Sequence, residues 1–375
     1  MNSKTFIPLM VPDILDEDIN AVVKVLRSGM LIQGQKVNEL EEKLAKYLDV
    51  KHAIAVSNGT ASLHLSLIAL GIGIGDEVIV PALSYIATAN VVELVGATPI
   101  FIDIDLNTFN INTSLIEEKI TSKTKAIIPV HEFGLASDIS EIILIAKKNN
   151  LFVIEDAACA LGATENGKFV GTFGEFGSFS FHPRKAITSG EGGLIVTNDD
   201  QLASKVRILR NHGVSIENGK MEFIEAGFNY RLTDFQAALV SSQFNRFESI
   251  LERKNVLSNT YRENLISNLI KLPSVDNNKI HTWQSFHVIL DSSINRDQLI
   301  IELKDKGIGT NYGAQCMPDE KFFREKYKLN CEKLFPNALI ATKNGLVLPL
   351  YEKLNESDVK FICKTLIDVY TQQRN

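Results

Sequence analysis

From His52 onward, short apolar runs alternate with longer stretches of helical periodicity, and nothing else in the 375-residue chain constrains its fold as tightly. Residues 53–57, 77–80, 98–102, 126–130 and 151–154 read as strands, while 61–70 and 139–148 between them read as helices. Strands joined through helices pair in parallel, and the helices then cover both faces of the sheet. An α/β fold with a mostly parallel sheet flanked by helices is therefore expected. Ligands bind such sheets at the carboxyl ends of the strands. Ser57, Pro81, His131 and Asp156 all fall on that edge.

Two of the edge positions suggest a particular chemistry. The apolar run Leu151-Phe-Val-Ile ends in two carboxylates, Glu155 and Asp156. Lys185 follows 29 residues later, between the strand-like Ser178-Phe-Ser-Phe and the glycine cluster Gly190-Glu-Gly-Gly193. Gly162, Gly167, Gly171, Gly174 and Gly177 supply turns that let the chain return to the same edge. One buried lysine and one buried aspartate in a single site suit pyridoxal phosphate (PLP). The lysine forms the Schiff base and the aspartate keeps the pyridine nitrogen protonated. A structural salt bridge is the alternative for Asp156. Ser57-Asn-Gly-Thr60-Ala-Ser62 lies between a strand and a helix, where it fits either a phosphate site or an ordinary N-cap turn. Tyr85 follows the next strand and fits either ring stacking or packing.

Composition narrows the class. A net charge of −6 argues against a nucleic-acid or anionic-membrane surface. The four cysteines, Cys159, Cys316, Cys331 and Cys363, form no CxxC pair, so a reduced cytoplasmic setting is expected and a zinc site is not. MNSKTFIPLM lacks the apolar core of a signal peptide, and no apolar stretch reaches membrane-spanning length. Ile19, Val22, Val23 and Leu26 predict a helix stopped by Gly29, and Val37, Leu40 and Leu44 predict a second. A single long helix is expected over about 234–265. Strand 286–290 and helices near 296–306 and 357–370 suggest a smaller α+β unit. The expected division is a large domain over 1–250, including the N-terminal segment, and a small C-terminal domain over 251–375.

Taken together, Asn58-Gly-Thr-Ala, Glu155-Asp-Ala-Ala, Ser178 to Lys185, Gly190-Glu-Gly-Gly193 and Gly227-Phe-Asn-Tyr-Arg-Leu-Thr-Asp234 resemble the DegT/StrS-type sugar aminotransferases. These are PLP enzymes of fold type I, the aspartate aminotransferase superfamily. The motifs occur in the family's order from about Gly29 to Leu350.

The resemblance implies that Lys185 is the Schiff-base lysine and that Asp156 partners the pyridine nitrogen. Gly59, Thr60 and Ser180 resemble the phosphate-binding set, and Tyr85 the residue stacked on the ring. Asn229 resembles a residue that reaches the phosphate in the other subunit, which implies a homodimer with shared sites. Met30 and Leu31 in the loop Ser28 to Gly34, His182, and the segment around Tyr312 match regions that contact the sugar nucleotide. Thr233 could instead simply cap the following helix while Arg231 pairs with a nearby acid.

Two positions depart from the family pattern. Cys159 stands at a cofactor-lining position where His or Gln is common, and Asn311-Tyr-Gly-Ala-Gln-Cys316 lacks the usual histidine and proline. The implied activity moves an amino group from L-glutamate to a nucleotide-linked ketosugar, with pyridoxamine phosphate (PMP) as the intermediate cofactor form. Gly190-Glu-Gly-Gly193 resembles members acting at carbon 4, which favours a 4-keto-6-deoxyhexose and a role in deoxyaminosugar biosynthesis. Two alternatives remain: a PMP-dependent sugar dehydratase, whose known forms replace the lysine by histidine, and a non-catalytic regulator that keeps the fold. The regulator would be expected to lose Lys185 or Asp156, and both residues are present.

Overall fold

The computed structural model describes residues 6–217, 219–266 and 268–374. The first five residues of MNSKTFIPLM, together with Asn218, Ser267 and Asn375, lie outside the described residues. Among the described residues no helix is long and apolar enough to cross a membrane.

The principal sheet has seven strands: β1 (His52–Val56), β2 (Glu77–Pro81), β3 (Thr98–Ile102), β4 (Thr124–Ile127), β5 (Phe152–Asp156), β6 (Phe176–Ser180) and β7 (Gly193–Thr197). Their spatial order is β1-β7-β6-β5-β4-β2-β3. Pairing is parallel from β6 through β5, β4 and β2 to β3. The exception is β7, which runs antiparallel to both β1 and β6. The sequence reading found β1 to β5 but not the full extent of β6 or β7, the two strands that flank Lys185. Neither shows a polar face, because both are buried nearly end to end.

Apolar residues that alternate along a strand feed opposite faces. Val78 and Val80 join the core on one face, while Ile79 joins the core on the other. Helices α3 (Gly59–Ala69), α4 (Ala87–Leu94) and α6 (Asp200–Arg210) cover the first face. Helix α5 (Ile139–Asn149) buries Ile139 and Ile142 against the second. Each such Val or Ile contributes about 1.5–3 kcal/mol of burial.

Helix α1 (Asp16–Ser28) ends where Gly29 takes the left-handed conformation at φ 74°, and α2 (Gln35–Leu48) buries Val37, Leu40 and Leu44. In α1, however, Ile19 and Leu26 are half exposed and Val25 faces the core. The expected single long helix is two: α7 (Asp234–Phe244) and α8 (Phe247–Asn264), broken at Asn245 and Arg246. Arg246 leaves helical geometry and bonds Asp18 of α1 at 2.7 and 3.0 Å and the Asp13 carbonyl at 2.7 Å. The break also stacks Phe244 on Phe247 with ring centroids 5.4 Å apart.

Beyond α8, strands β8 (Ile270–Lys271), β9 (Phe286–Leu290) and β10 (Gly345–Leu348) form an antiparallel sheet. It packs with α8 and with the helices Arg296–Asp305 and Glu356–Arg374 around Tyr261, Phe286, Leu303 and Ile362. Ala314, Met317, Phe323, Phe335 and Ala338 instead pack with the core of the principal sheet.

Along β5, Glu155 and Asp156 point to opposite faces and acquire different tasks. Glu155 is fully buried. Its carboxylate accepts the N–H groups of Gly171 (2.7 Å), Phe173 (2.6 Å) and Gly174 (2.9 Å). The His131 ring accepts the Ser137 N–H at Nδ1, so its Nε2–H donates to Glu155 at 3.1 Å. Glu155 thus organises the glycine-rich excursion between β5 and β6. Gly162, Gly167 and Gly171 in that excursion do have positive φ. Gly174 and Gly177 are needed for close approach instead, since a Cβ would lie 2.3 Å from the Val153 carbonyl or 2.0 Å from that of Gly171. Glu155→Ala strands these donors in the interior, and urea unfolding is expected to register a loss of about 3–5 kcal/mol.

Candidate active site

A cleft of 710 Å³ opens at the carboxyl ends of β1, β2, β5 and β6. One end is an anion cradle. The chain leaves β1 through Ser57 and Asn58, and the Asn58 side chain caps α3 by accepting the Ala61 N–H at 2.8 Å. The first N–H groups of α3 have no carbonyl partner in their own helix, and the helix dipole adds positive potential there. Ser180, at the end of β6, sits directly against this turn: a Cβ on Gly59 would lie 3.0 Å from the Ser180 Cβ. Gly59, Thr60 and Ser180 all line the cleft.

At the other end lies Asp156, only 5 % exposed. It accepts the Thr88 hydroxyl at 2.8 Å and the Ala158 N–H at 3.2 Å. Burial pushes its carboxyl above the ordinary aspartate range, opposed by the Thr88 hydroxyl, the Ala158 N–H and the charges of Lys185 and His131. A cation placed against Asp156 would relieve that penalty. Lys185 lines the same cleft, carried on the loop that joins β6 to β7. Its Nζ donates to Cys159 Sγ at 3.0 Å. Burial raises the Cys159 thiol, so this sulfur is a soft acceptor beside the amine and not an activated nucleophile. The Tyr85 ring, 69 % exposed, forms part of the cleft wall.

An anion cradle, a flat ring surface, an amine and a buried acid in need of a cation form the donor set that a phosphorylated pyridinium aldehyde requires. His182 also lines the cleft, with its imidazole pushed down chiefly by burial. Met30, Leu31, Tyr312 and Asn229 are not brought into the cleft of this chain. Met30 and Leu31 lie exposed in the loop after α1. Tyr312 stacks under Arg296, with the guanidinium carbon 4.3 Å from the ring centre. Asn229 is exposed and forms a backbone bridge with Asn211.

The same segment corrects one local expectation. Thr233 does cap α7, in a capping box with Gln236, but Arg231 donates to the amide oxygen of Asn211 at 2.6 Å and not to an acid. Asp234 ties the N-terminal loop to α7 by accepting the N–H groups of Gly34 (2.8 Å) and Val37 (3.0 Å).

Sequence reasoning missed Thr88 and Glu132. Thr88 lies in the first turn of α4, three residues after Tyr85, and only its four-residue spacing from Ser84 hinted at a hydroxyl pair. Glu132 follows the flagged His131 directly, and an acid there within Val130-His-Glu-Phe-Gly134 was a readable signal.

The matching family model spans residues 12–367 and is described as the DegT/DnrJ/EryC1/StrS aminotransferase family. The chain belongs to this family. It is 37% identical over 372 residues to GDP-perosamine synthase of Escherichia coli O157:H7, covering 98% of this chain and 100% of that one. The PLP form of Spr1654 from Streptococcus pneumoniae superposes with a TM-score of 0.93 at 29% identity, covering 98% of this chain and 99% of that one. PseC of Helicobacter pylori, an aminotransferase involved in the biosynthesis of pseudoaminic acid, superposes with a TM-score of 0.92 at 26% identity, over 98% and 100% of the two chains. As a DegT/DnrJ/EryC1/StrS enzyme, the protein has the PLP fold type I architecture and is an aminotransferase with PLP as its cofactor.

Proposed function

We propose that the protein is a sugar aminotransferase that moves the amino group of L-glutamate to carbon 4 of a nucleotide-linked 4-keto-6-deoxyhexose. The observation that carries this reading is Lys185, which shares one open cleft with Asp156 and the α3 anion cradle. Full-length similarity to GDP-perosamine synthase supports the sugar class. PLP, when bound, supplies an electron-accepting ring and the carbonyl that receives amino groups. Gly59, Thr60 and Ser180 hold its phosphate, Tyr85 covers its face and Asp156 holds the proton on its ring nitrogen. Cys159 lies beside the Lys185 amine. As a free amine, Lys185 takes the proton from the donor's Cα. His182 contacts the sugar nucleotide in this chain's cleft, whereas Met30, Leu31 and Tyr312, which lie outside that cleft, contact it only in the assembled homodimer. Mass spectrometry of products from a panel of 4-keto and 3-keto nucleotide sugars incubated with glutamate tests the reading. An aminated sugar of unchanged nucleotide is expected, and amination confined to 3-keto sugars would overturn the carbon assignment.

The division near residue 250 belongs to the same reading. It is supported by Ile250 packing with the principal sheet while Leu257, two turns on, packs with the C-terminal sheet. A homodimer with shared sites is supported by the apolar groups left at the surface. Ile19, Leu26, Met30, Leu31 and Ile32 are exposed on the N-terminal segment, as are Met221 and Phe223 near Asn229. In this arrangement the Asn229 amide donates to the phosphate in the partner's cleft. A hydrogen bond to a charged group contributes on the order of 1.5–3 kcal/mol, so Asn229→Ala is expected to weaken PLP binding by about tenfold or more. Mixing Lys185→Ala chains with Asn229→Ala chains gives heterodimers with one intact site, and activity should exceed that of either parent. Tagged heterodimers without that gain would place both residues in the same chain's site.

A further inference from the structure

Glu132 is a second acid at the cleft, outside the roles assigned above. It is 5 % exposed, and its Oε2 is buried without a hydrogen-bond partner. The local backbone is held in an unusual form to place it there. Phe133 takes φ 55°, a left-handed conformation that aromatic residues rarely adopt, and such strain persists only where surrounding contacts impose it. Those contacts are present. The Phe133 carbonyl accepts the Gln284 N–H at 2.9 Å, and the Gly134 carbonyl accepts the Thr282 N–H at 3.0 Å. The Phe133 ring stacks on His287 with centroids 4.5 Å apart, and the Glu132 N–H donates to Asn110 at 2.8 Å. The side chain is therefore fixed at the cleft wall.

Hydroxyls stand beside the two acids. Ser84 lines the cleft with Glu132, the Ser84 and Thr88 hydroxyls are 3.3 Å apart, and Thr88 donates to Asp156. The ionisable groups around Glu132 are Asp156 and Cys159 from the end of β5, His182, Arg184, Lys185 and Glu191 from the lysine loop, His131 before Glu132, and Lys254 of α8, on which the Lys185 charge acts. We propose that Glu132 is a positioning residue for Lys185, offering the amine a neutral carboxylic acid in place of a second carboxylate. Two buried anions side by side would repel each other and hold the lysine as an ammonium ion, which cannot act as a base. Burial first, and then the charge of Asp156, push the Glu132 carboxyl up to about 8, with Lys185 opposing. Asp156 then remains the only charged member of this buried pair of acids, and the lysine stays free to move the donor's proton. Ionisation of Glu132 at alkaline pH closes that window.

The inference rests on the assignment of Lys185 as the proton-moving residue, and its test has two readouts. In the cofactor-free protein, an acid raised on folding costs stability as pH climbs from its unfolded to its folded value. The Tm of Glu132→Gln minus that of the wild type should therefore increase between pH 5 and about 8 and then level off. In the loaded enzyme, the rate of the half-reaction with glutamate should fall above about pH 8 in the wild type and in Glu132→Asp. In Glu132→Gln that decline should vanish. A pH-independent Tm difference overturns the proposal. So does a rising Tm difference combined with identical pH–rate profiles, because the proton would then be held without serving Lys185. Amino transfer absent from the wild type at every pH would overturn the aminotransferase reading as well, whereas an unchanged Glu132→Gln profile on an active wild type defeats this inference alone.

Discussion

Lys185→Ala is expected to fold normally and to transfer amino groups at least about 10²–10⁴-fold more slowly than the wild type, the range that positioned proton transfer contributes. The fold should survive because Lys185 is carried on the β6–β7 loop and, among the described residues, its amine donates only to Cys159 Sγ. Its removal takes one favourable charge from Asp156, which keeps the Thr88 hydroxyl and the Ala158 N–H, and a thiol tolerates the loss of a weak donor. The α3 cradle, Tyr85 and Asp156 are untouched, so the variant should still take up cofactor, seen as visible absorbance that persists after gel filtration. Glutamate turnover followed by mass spectrometry provides the rate. Small primary amines added to the buffer should restore part of it. Wild-type turnover without added amine would remove Lys185 from the mechanism.

The second large effect is expected at Asp156. Asp156→Asn keeps the size of the side chain and leaves an oxygen for the Thr88 hydroxyl, which now donates at 2.8 Å. What disappears is the negative charge facing the cleft. Loss of one preorganised electrostatic group typically costs about 10²–10³ in kcat, and a drop of that order is expected here. Cofactor affinity should fall much less, because the α3 anion cradle is unchanged. The comparison with Glu155 sharpens the point. Glu155→Gln should weaken the fold and spare much of the catalytic rate per folded molecule, whereas Asp156→Asn should do the reverse. Equal losses of activity in the two variants would mean that the charge at position 156 has no special place in the chemistry.

The contrast between these neighbouring acids also shows how far the sequence could be read. The parallel strands β1 to β5 were visible because their apolar runs are bounded by turn residues and alternate with helices. Strands β6 and β7 escaped because Ser178, Ser180, Gly177 and Gly193 dilute their apolar pattern. Those small residues are there because the chain approaches its neighbours closely, as the Gly177 contact with Gly171 requires. Lys185, Asp156, Thr60 and Ser180 were legible from strand-end position and motif together. The break between α7 and α8 was not, because it depends on Arg246 meeting Asp13 and Asp18, more than two hundred residues earlier in the chain. Glu132 was not read either, since its environment is set by Ser84, Asp156 and Lys185 arriving from three other segments. Local pattern locates the edge of a sheet, but it does not say which side chains at that edge face one another.

The antiparallel strand β7 has a mechanical consequence for the lysine. In register, Val56 of β1 lies opposite Gly193, and Gly193 lies opposite Ser180 of β6, so three strand ends meet in one row. Lys185 therefore hangs from a closed handle whose two ends are fixed to adjacent rungs, one of them beside the phosphate cradle. A parallel connection would have sent the chain through a helix to the far edge before it returned. Between its attachments the handle is also tied down, because Thr188 exchanges hydrogen bonds with Gln243 of α7 and its hydroxyl donates to the Phe181 carbonyl. The root of the lysine loop and the anion cradle thus share one rung, Gly193 against Ser180, with Ser180 packed on the α3 turn.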